Sequence, residues 1–127
     1  MKIDHIGIWV YDLELMKEFY VNYLSGIAGK KYENPAKDFE SYFISFNDSS
    51  RLELMKRSDI QKNSREKELE GFAHLAFNVS SKSEVDLVTE NIRKDGYIIR
   101  GEPRTTGDGY YESVNSDPEG NLVEIIC

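Results

Sequence analysis

Asp4-His5-Ile6-Gly7-Ile8-Trp9-Val10, near the start of the chain, and Ala73-His74-Leu75-Ala76-Phe77-Asn78-Val79, in its second half, are two copies of one pattern. In the first copy Ile6, Ile8 and Val10 alternate with His5, Gly7 and Trp9. In the second, Ala73, Leu75, Phe77 and Val79 alternate with His74, Ala76 and Asn78. A repeat of two residues is the signature of a strand with one apolar face. A helix is predicted after each copy. Asp12 is placed to cap the first, and Leu13, Met16, Phe19, Tyr20, Tyr23 and Leu24 follow at helical spacing up to a stop at Gly26. Ser81 and Glu84 have the spacing of a capping box for the second, with Val85, Val88 and Ile92 on one stripe, Leu87 beside them and Gly96 as the stop. Three strand-like stretches then follow in each half: 29–33, 39–46 and 51–56 in the first, 97–102, 109–116 and 121–126 in the second. Asn47-Asp48-Ser49-Ser50 and Asp117-Pro118-Glu119-Gly120 are the turn signals before the last strands.

The two halves keep one register. His74 follows His5 by 69 residues, Ser81 follows Asp12 by 69, Gly96 follows Gly26 by 70 and Glu124 follows Glu53 by 71. Four landmarks of different chemistry staying within two residues of a common offset mark an internal duplication of a β-α-β-β-β module. The modules span about residues 1–56 and 71–127. Residues 57–70, rich in Arg, Lys, Asp and Glu, read as a solvated linker, and the whole as one domain. A module of roughly 55 residues is near the size at which a core becomes marginal. Its helix can cover only one sheet face. The expected fold is therefore α+β: two paired modules forming a curved mixed sheet around a cleft, helices outside, both histidines facing inward.

Composition excludes several classes. A net charge of −7 with a pI near 4.9 leaves no basic face for nucleic acid or an anionic membrane. There is no apolar run long enough to span a bilayer, and the first residues turn polar too soon for a secretory signal. The lone cysteine, Cys127, cannot close an internal disulfide, which suits a reducing, cytoplasmic setting.

The chemistry concentrates in four residues. The chain has only two histidines, His5 and His74, at equivalent positions on the strand face turned away from the helix. Each has a small residue next on its own face, Gly7 and Ala76. Glu53 and Glu124 obey the same repeat, and Glu124 is flanked by apolar residues on both faces, where an unpaired carboxylate would be costly to bury. Taken singly, a strand histidine is an ordinary hydrogen-bonding residue, and Glu53 could pair with Arg51. Taken together, two imidazoles and two carboxylates without thiolates suit one divalent ion (Ni, Zn, Co, Mn or Fe) with positions left for water or substrate. Tyr42, Tyr110 and Tyr111 are candidate pocket residues whose alternative role is packing. Arg51, Arg57 and Arg104 are candidate substrate cations whose alternative role is solubility. Gly107-Asp108-Gly109 reads as a loop and not a phosphate site, since no helix or Lys-Ser/Thr follows.

Asp4-His5-Ile6-Gly7-Ile8 leading to Asp12-Leu13, Phe19-Tyr20 and Leu24, with His74-Leu75-Ala76-Phe77-Asn78-Val79 and Asp117-Pro118-Glu119-Gly120-Asn121-Leu122-Val123-Glu124, resembles the vicinal oxygen chelate superfamily over essentially the whole chain. That superfamily holds glyoxalase I, extradiol dioxygenases, methylmalonyl-CoA epimerase and drug-resistance proteins. The resemblance implies paired β-α-β-β-β modules around a metal-holding cleft. On the glyoxalase I pattern the ligands are His5, Glu53, His74 and Glu124. It implies a metal-dependent lyase that isomerises a small thiol hemithioacetal through an enediolate, with Glu124 as the base and Glu53 second. It also implies a homodimer, with the site inside one chain or across two. The alternatives are a dioxygenase or epimerase on the same site, or a metal-free small-molecule binding protein. Glutathione-using relatives often carry Arg four residues after the first histidine; this chain has Trp9 there.

Overall fold

The structure, a computed structural model, describes all residues except Asp48, Arg65, Glu66 and Leu69. Asp48 of the expected turn, and Arg65, Glu66 and Leu69 of the expected linker, thus lie outside the described residues. The chain divides into two compact units, Met1–Asn63 and Ser64–Cys127. Among the described residues no helix is long and apolar enough to cross a membrane.

The first unit runs β1 (Ile6–Trp9), α1 (Leu13–Leu24), β2 (Ile27–Ala28), β3 (Tyr32–Asn34), β4 (Phe39–Ser45) and β5 (Arg51–Lys56). Its sheet has the order β1-β5-β4-β2, with β3 also on β4. β1 and β5 are parallel and the other pairs antiparallel. The expected strand over 29–33 is two short strands instead: Ile27 and Ala28 pair with Ser45 and Ile44, and Tyr32 to Asn34 pair with Ser41 to Phe39. Gly29, a poor strand former, falls in the gap. Asp12 caps α1, its carboxylate accepting from the Leu15 N–H at 3.1 Å. α1 packs on one sheet face, where Met16, Phe19, Tyr20, Ile44 and Leu54 are fully buried. Each such side chain contributes about 1.5–3 kcal/mol.

Helix α1 ends differently from the expectation. The left-handed residue is Ser25 (φ 56°), not Gly26. Gly26 is needed for close approach: a Cβ there would stand 2.5 Å from Ile44 Cγ2 and 2.9 Å from the Tyr20 carbonyl. In the second unit Gly96 does stand at φ 87°, as a helix stop of this type requires.

The second unit runs β6 (His74–Asn78), α2 (Lys82–Lys94), β7 (Ile99–Thr105), β8 (Tyr111–Ser116) and β9 (Leu122–Ile126), in the order β6-β9-β8-β7. β6 and β9 are the parallel pair. β7 extends past the expected end at Glu102 and takes in Pro103, tolerated because β7 is an edge strand with register shifts. Ser81 caps α2, but Glu84 reaches back to the N–H and hydroxyl of Ser80, one residue earlier than a capping box requires. The turn at Asp117 forms as expected. Its carboxylate accepts from the N–H groups of Glu119 and Asn121 and from the Asn121 amide, and Gly120 takes a positive φ.

The helix-facing core of this unit is partly polar. Thr89, Ser113 and Asn115 are fully buried beside Val85, Ile92, Val123 and Ile125. The Thr89 hydroxyl donates to the Val85 carbonyl at 2.7 Å, so the 2.7 Å contact with Ser113 is donated by Ser113. Asn115 donates to Ser113 at 3.0 Å and to the Val123 carbonyl at 3.3 Å. Thr89→Val keeps the shape but leaves the buried Ser113 hydroxyl without its acceptor. It is expected to cost about 1–3 kcal/mol in urea denaturation; a change below about 0.5 kcal/mol would show that the network carries no net stability.

Candidate metal centre

In each unit a parallel strand pair sets the site. On the first sheet Gly7 lies opposite Glu53; on the second, Ala76 lies opposite Glu124. His74 precedes Ala76 by two strand positions and so shares its face, and His5, one residue before β1, comes to Glu53 in the same way. His5 Nε2 stands 3.5 Å from Glu53 Oε2, and His74 Nε2 stands 3.3 Å from Glu124 Oε2. The side chains match in openness: 17% and 18% exposed for the glutamates, 37% and 43% for the histidines. One accessibility pattern in both copies means that both pairs sit in a half-open setting where a ligand can reach them.

The spacing suits coordination better than a direct ion pair. A charge-assisted N–H···O bond is about 2.7–2.9 Å long. Two donors each about 2.1 Å from one ion stand roughly 3.0–3.4 Å apart at angles between 90° and tetrahedral. His74–Glu124, at 3.3 Å, falls within that range, and His5–Glu53, at 3.5 Å, lies just above it. Beside Glu53 the position over Gly7 is taken by the flexible end of Met55: a Cβ on Gly7 would stand 2.8 Å from its terminal methyl and 3.7 Å from its sulfur. The donors come as two pairs, one per unit. Among the described residues no group of three or more His, Cys, Asp or Glu side chains forms a metal-holding cluster.

Of the neighbours of the first pair the sequence reading named only Arg51, as a partner of Glu53 or a substrate cation, and missed Asp4 and Phe43. Asp4 Oδ2 accepts from His5 Nδ1 at 2.9 Å and also from Arg51 Nη2. The Arg51 guanidinium lies over the Phe43 ring, 4.7 Å from its centroid, and Phe43 meets the His5 ring edge-on at 5.1 Å. The hydrogen bond from His5, and then Arg51, hold the Asp4 carboxyl below its usual range. Alternation would have placed Asp4 on the face opposite His5. The strand begins only at Ile6, however, so neither residue is bound by that alternation. Charge adjacency in Asp4-His5 was the available signal.

Further along the same face Trp9 carries Arg57 over its ring at 4.8 Å and meets Phe39 edge-on at 6.2 Å; Arg57 is also paired with Asp59 at 2.9 Å. Arg104 pairs with Glu112 at 3.4 Å in the second unit. Two tyrosines read as candidate pocket residues turn toward the helices instead. Tyr42 donates to Glu14 on α1 at 3.1 Å, and Tyr111 donates to Asp86 on α2 at 2.8 Å. Tyr110 lies outside β8, exposed. Gly107-Asp108-Gly109 lies in the turn between β7 and β8, closed by the Thr106 N–H on the Tyr110 carbonyl at 2.8 Å.

Residues 2–125 match the Glyoxalase/Bleomycin resistance protein/Dioxygenase superfamily. The chain belongs to that superfamily. Its similarity to YqjT of Bacillus subtilis (strain 168), itself an uncharacterized protein, is 28% identity over 136 residues, covering 98% of each chain. Among solved structures, glyoxalase I from Zea mays superposes with a TM-score of 0.82 at 24% identity, over 98% of this chain and 44% of that one. The present chain thus spans less than half the length of the maize enzyme. A glyoxylase/bleomycin resistance protein/dioxygenase domain from Frankia sp. EAN1pec gives 0.85 at 15% identity, over 99% and 96%. At these identities the structural likenesses establish the fold, the βαβββ architecture of the superfamily, and not the reaction.

The flexible Met55 end over Gly7 gives a test of the candidate ion site. Gly7→Ala should stay within about 1 kcal/mol of the parent in stability, because only a flexible methionine end must move. Gly7→Leu should fill the space beside Glu53 and weaken divalent-ion binding, measured by calorimetry, while circular dichroism stays unchanged. Undiminished ion binding by Gly7→Leu would show that this face is not where ions enter.

Proposed function

We propose that this protein is a divalent-metal-dependent lyase of the glyoxalase I type, isomerising a hemithioacetal formed from a small thiol and a 2-oxoaldehyde. The observation that carries the reading is the repeat of one His–Glu set in each unit, His5 with Glu53 at 3.5 Å and His74 with Glu124 at 3.3 Å, each set offering two neighbouring donors. Together they offer four donors of the mixed nitrogen/oxygen kind that Ni, Zn, Co, Mn and Fe accept, and they leave positions for substrate. The two pairs would join within one chain or across a homodimer, in a cytoplasmic protein. Neither pair includes a thiolate, so the set is suited to catalysis more than to a closed structural site.

Bound there, a divalent ion would supply Lewis-acid polarisation of two adjacent substrate oxygens. The residues of the chain do the rest. His5 and His74 hold position. Glu124 takes the proton from the carbon that bears sulfur and returns it to the neighbouring carbon, with Glu53 as the second candidate for this role. The carbonyl carbon is reduced and the sulfur-bearing carbon is oxidised within one molecule, so no external oxidant is needed. Val123 and Ile125, both fully buried, fix the strand on which Glu124 stands. Trp9, where glutathione-using relatives often carry Arg, favours a thiol other than glutathione.

The test is turnover of methylglyoxal with a panel of thiols by the metal-loaded protein, beside Glu124→Gln. Turnover is expected with at least one thiol, with a fall of roughly 10²–10⁴-fold in Glu124→Gln with metal retained. Full turnover by Glu124→Gln would exclude it as the base. Oxygen uptake with an iron-loaded sample, or epimerisation of a coenzyme A thioester, would place the site in another class of the superfamily.

A further inference from the structure

The two His–Glu pairs are alike in spacing but not in support. On the first sheet four side chains close a ring: Asp4 accepts from His5 and Arg51, Arg51 stacks on Phe43, and Phe43 meets His5 edge-on. Asp4, kept ionised between two cationic or N–H partners, is an acceptor only. The proton it receives must therefore sit on Nδ1 of His5. A neutral imidazole protonated at Nδ1 carries its lone pair on Nε2, the atom that faces Glu53 at 3.5 Å. On the second sheet the corresponding positions are Ala73, Leu122 and Val114. None of the three can accept a proton from an imidazole, ion-pair with a carboxylate, or offer an aromatic face. The repeat has thus kept the donors and changed what orients one of them.

We infer that Asp4, held by Arg51, is a positioning residue that fixes His5 as the Nδ1–H tautomer and presents Nε2 as a ready ligand, making His5–Glu53 the preset half of the metal site. This rests on the metal-holding reading above for its consequence, but not for its geometry. An oriented imidazole loses neither ring flips nor tautomer exchange on binding an ion, and carboxylate–histidine contacts of this kind typically contribute 10–100-fold in metal affinity. Arg51 is then a support for the site and not a free cation for substrate.

Two readouts test this separately. The first is long-range proton–nitrogen correlation NMR of the imidazole rings in the metal-free protein, at about pH 8.5, well above the usual imidazole pKa of about 6.5. Only two rings are present, and His5→Gln assigns them. His5 should be protonated at Nδ1 in the parent. It should lose that preference in Asp4→Ala and keep much of it in Asp4→Asn, whose amide oxygen still accepts; the His74 signals should not move. The second is the affinity for Zn or Co by competition with a chelating dye, expected to fall 10–100-fold in Asp4→Ala and less in Asp4→Asn. Protonation of His5 at Nε2 in the parent, or an unchanged tautomer in Asp4→Ala, would overturn the orientation claim. A changed tautomer with unchanged affinity would overturn its role in the metal site. If the parent binds neither ion, the metal reading fails, and the tautomer result still decides whether Asp4 orients His5.

Discussion

The parallel register of the first and last strand of each unit is the constraint on which the site depends. Gly7 opposite Glu53 and Ala76 opposite Glu124 are the same pairing repeated. The hydrogen bonds that end the pairs repeat too, from Val10 N–H to the Met55 carbonyl and from Val79 N–H to the Ile126 carbonyl, both at 2.8 Å. A slip of one residue in either pair would send the glutamate into the helix-facing core and bring a leucine or isoleucine to the histidine. The register is held because the neighbours of each glutamate, Leu52 and Leu54 or Val123 and Ile125, are buried against the helix. Hydrophobic burial on one face thereby positions a carboxylate on the other.

Once that frame is fixed, the two copies have room to diverge. The helix-facing core of the first unit is built from large apolar and aromatic side chains, Met16, Phe19, Tyr20, Ile44 and Leu54, whereas the second closes a small hydroxyl and amide network at Thr89, Ser113 and Asn115. On the opposite face the first unit carries Asp4, Arg51, Phe43 and the Trp9–Arg57 stack, with no equivalent set among the described residues of the second. The common part is the donor pair; the differing part is what surrounds it.

Much of this was legible in the sequence, because the repeat supplies its own check. The offset of about 70 residues tied together strand, cap, helix stop and glutamate, and the structure bears out both helices, both N-caps and the Asp117 turn. The strand face of His74 followed from alternation alone. What escaped depends on contacts between residues far apart. The split of the second strand, the packing need at Gly26 against Ile44, and the turn of Tyr42 and Tyr111 toward Glu14 and Asp86 are all set by partners on other elements. Asp4 escaped for a different reason: it stands two residues before the strand begins, where strand periodicity assigns no face.

Metal content per chain, by mass spectrometry of protein loaded with an excess of Zn and then desalted, tests the central claim most directly when the parent is compared with His5→Ala and His74→Ala. Two pairs acting as one four-donor site predict one ion per chain in the parent and loss of it in both variants, whether the pairs meet within a chain or across two. Two ions per chain, each lost through one variant only, or an ion kept in both variants, would contradict the shared site.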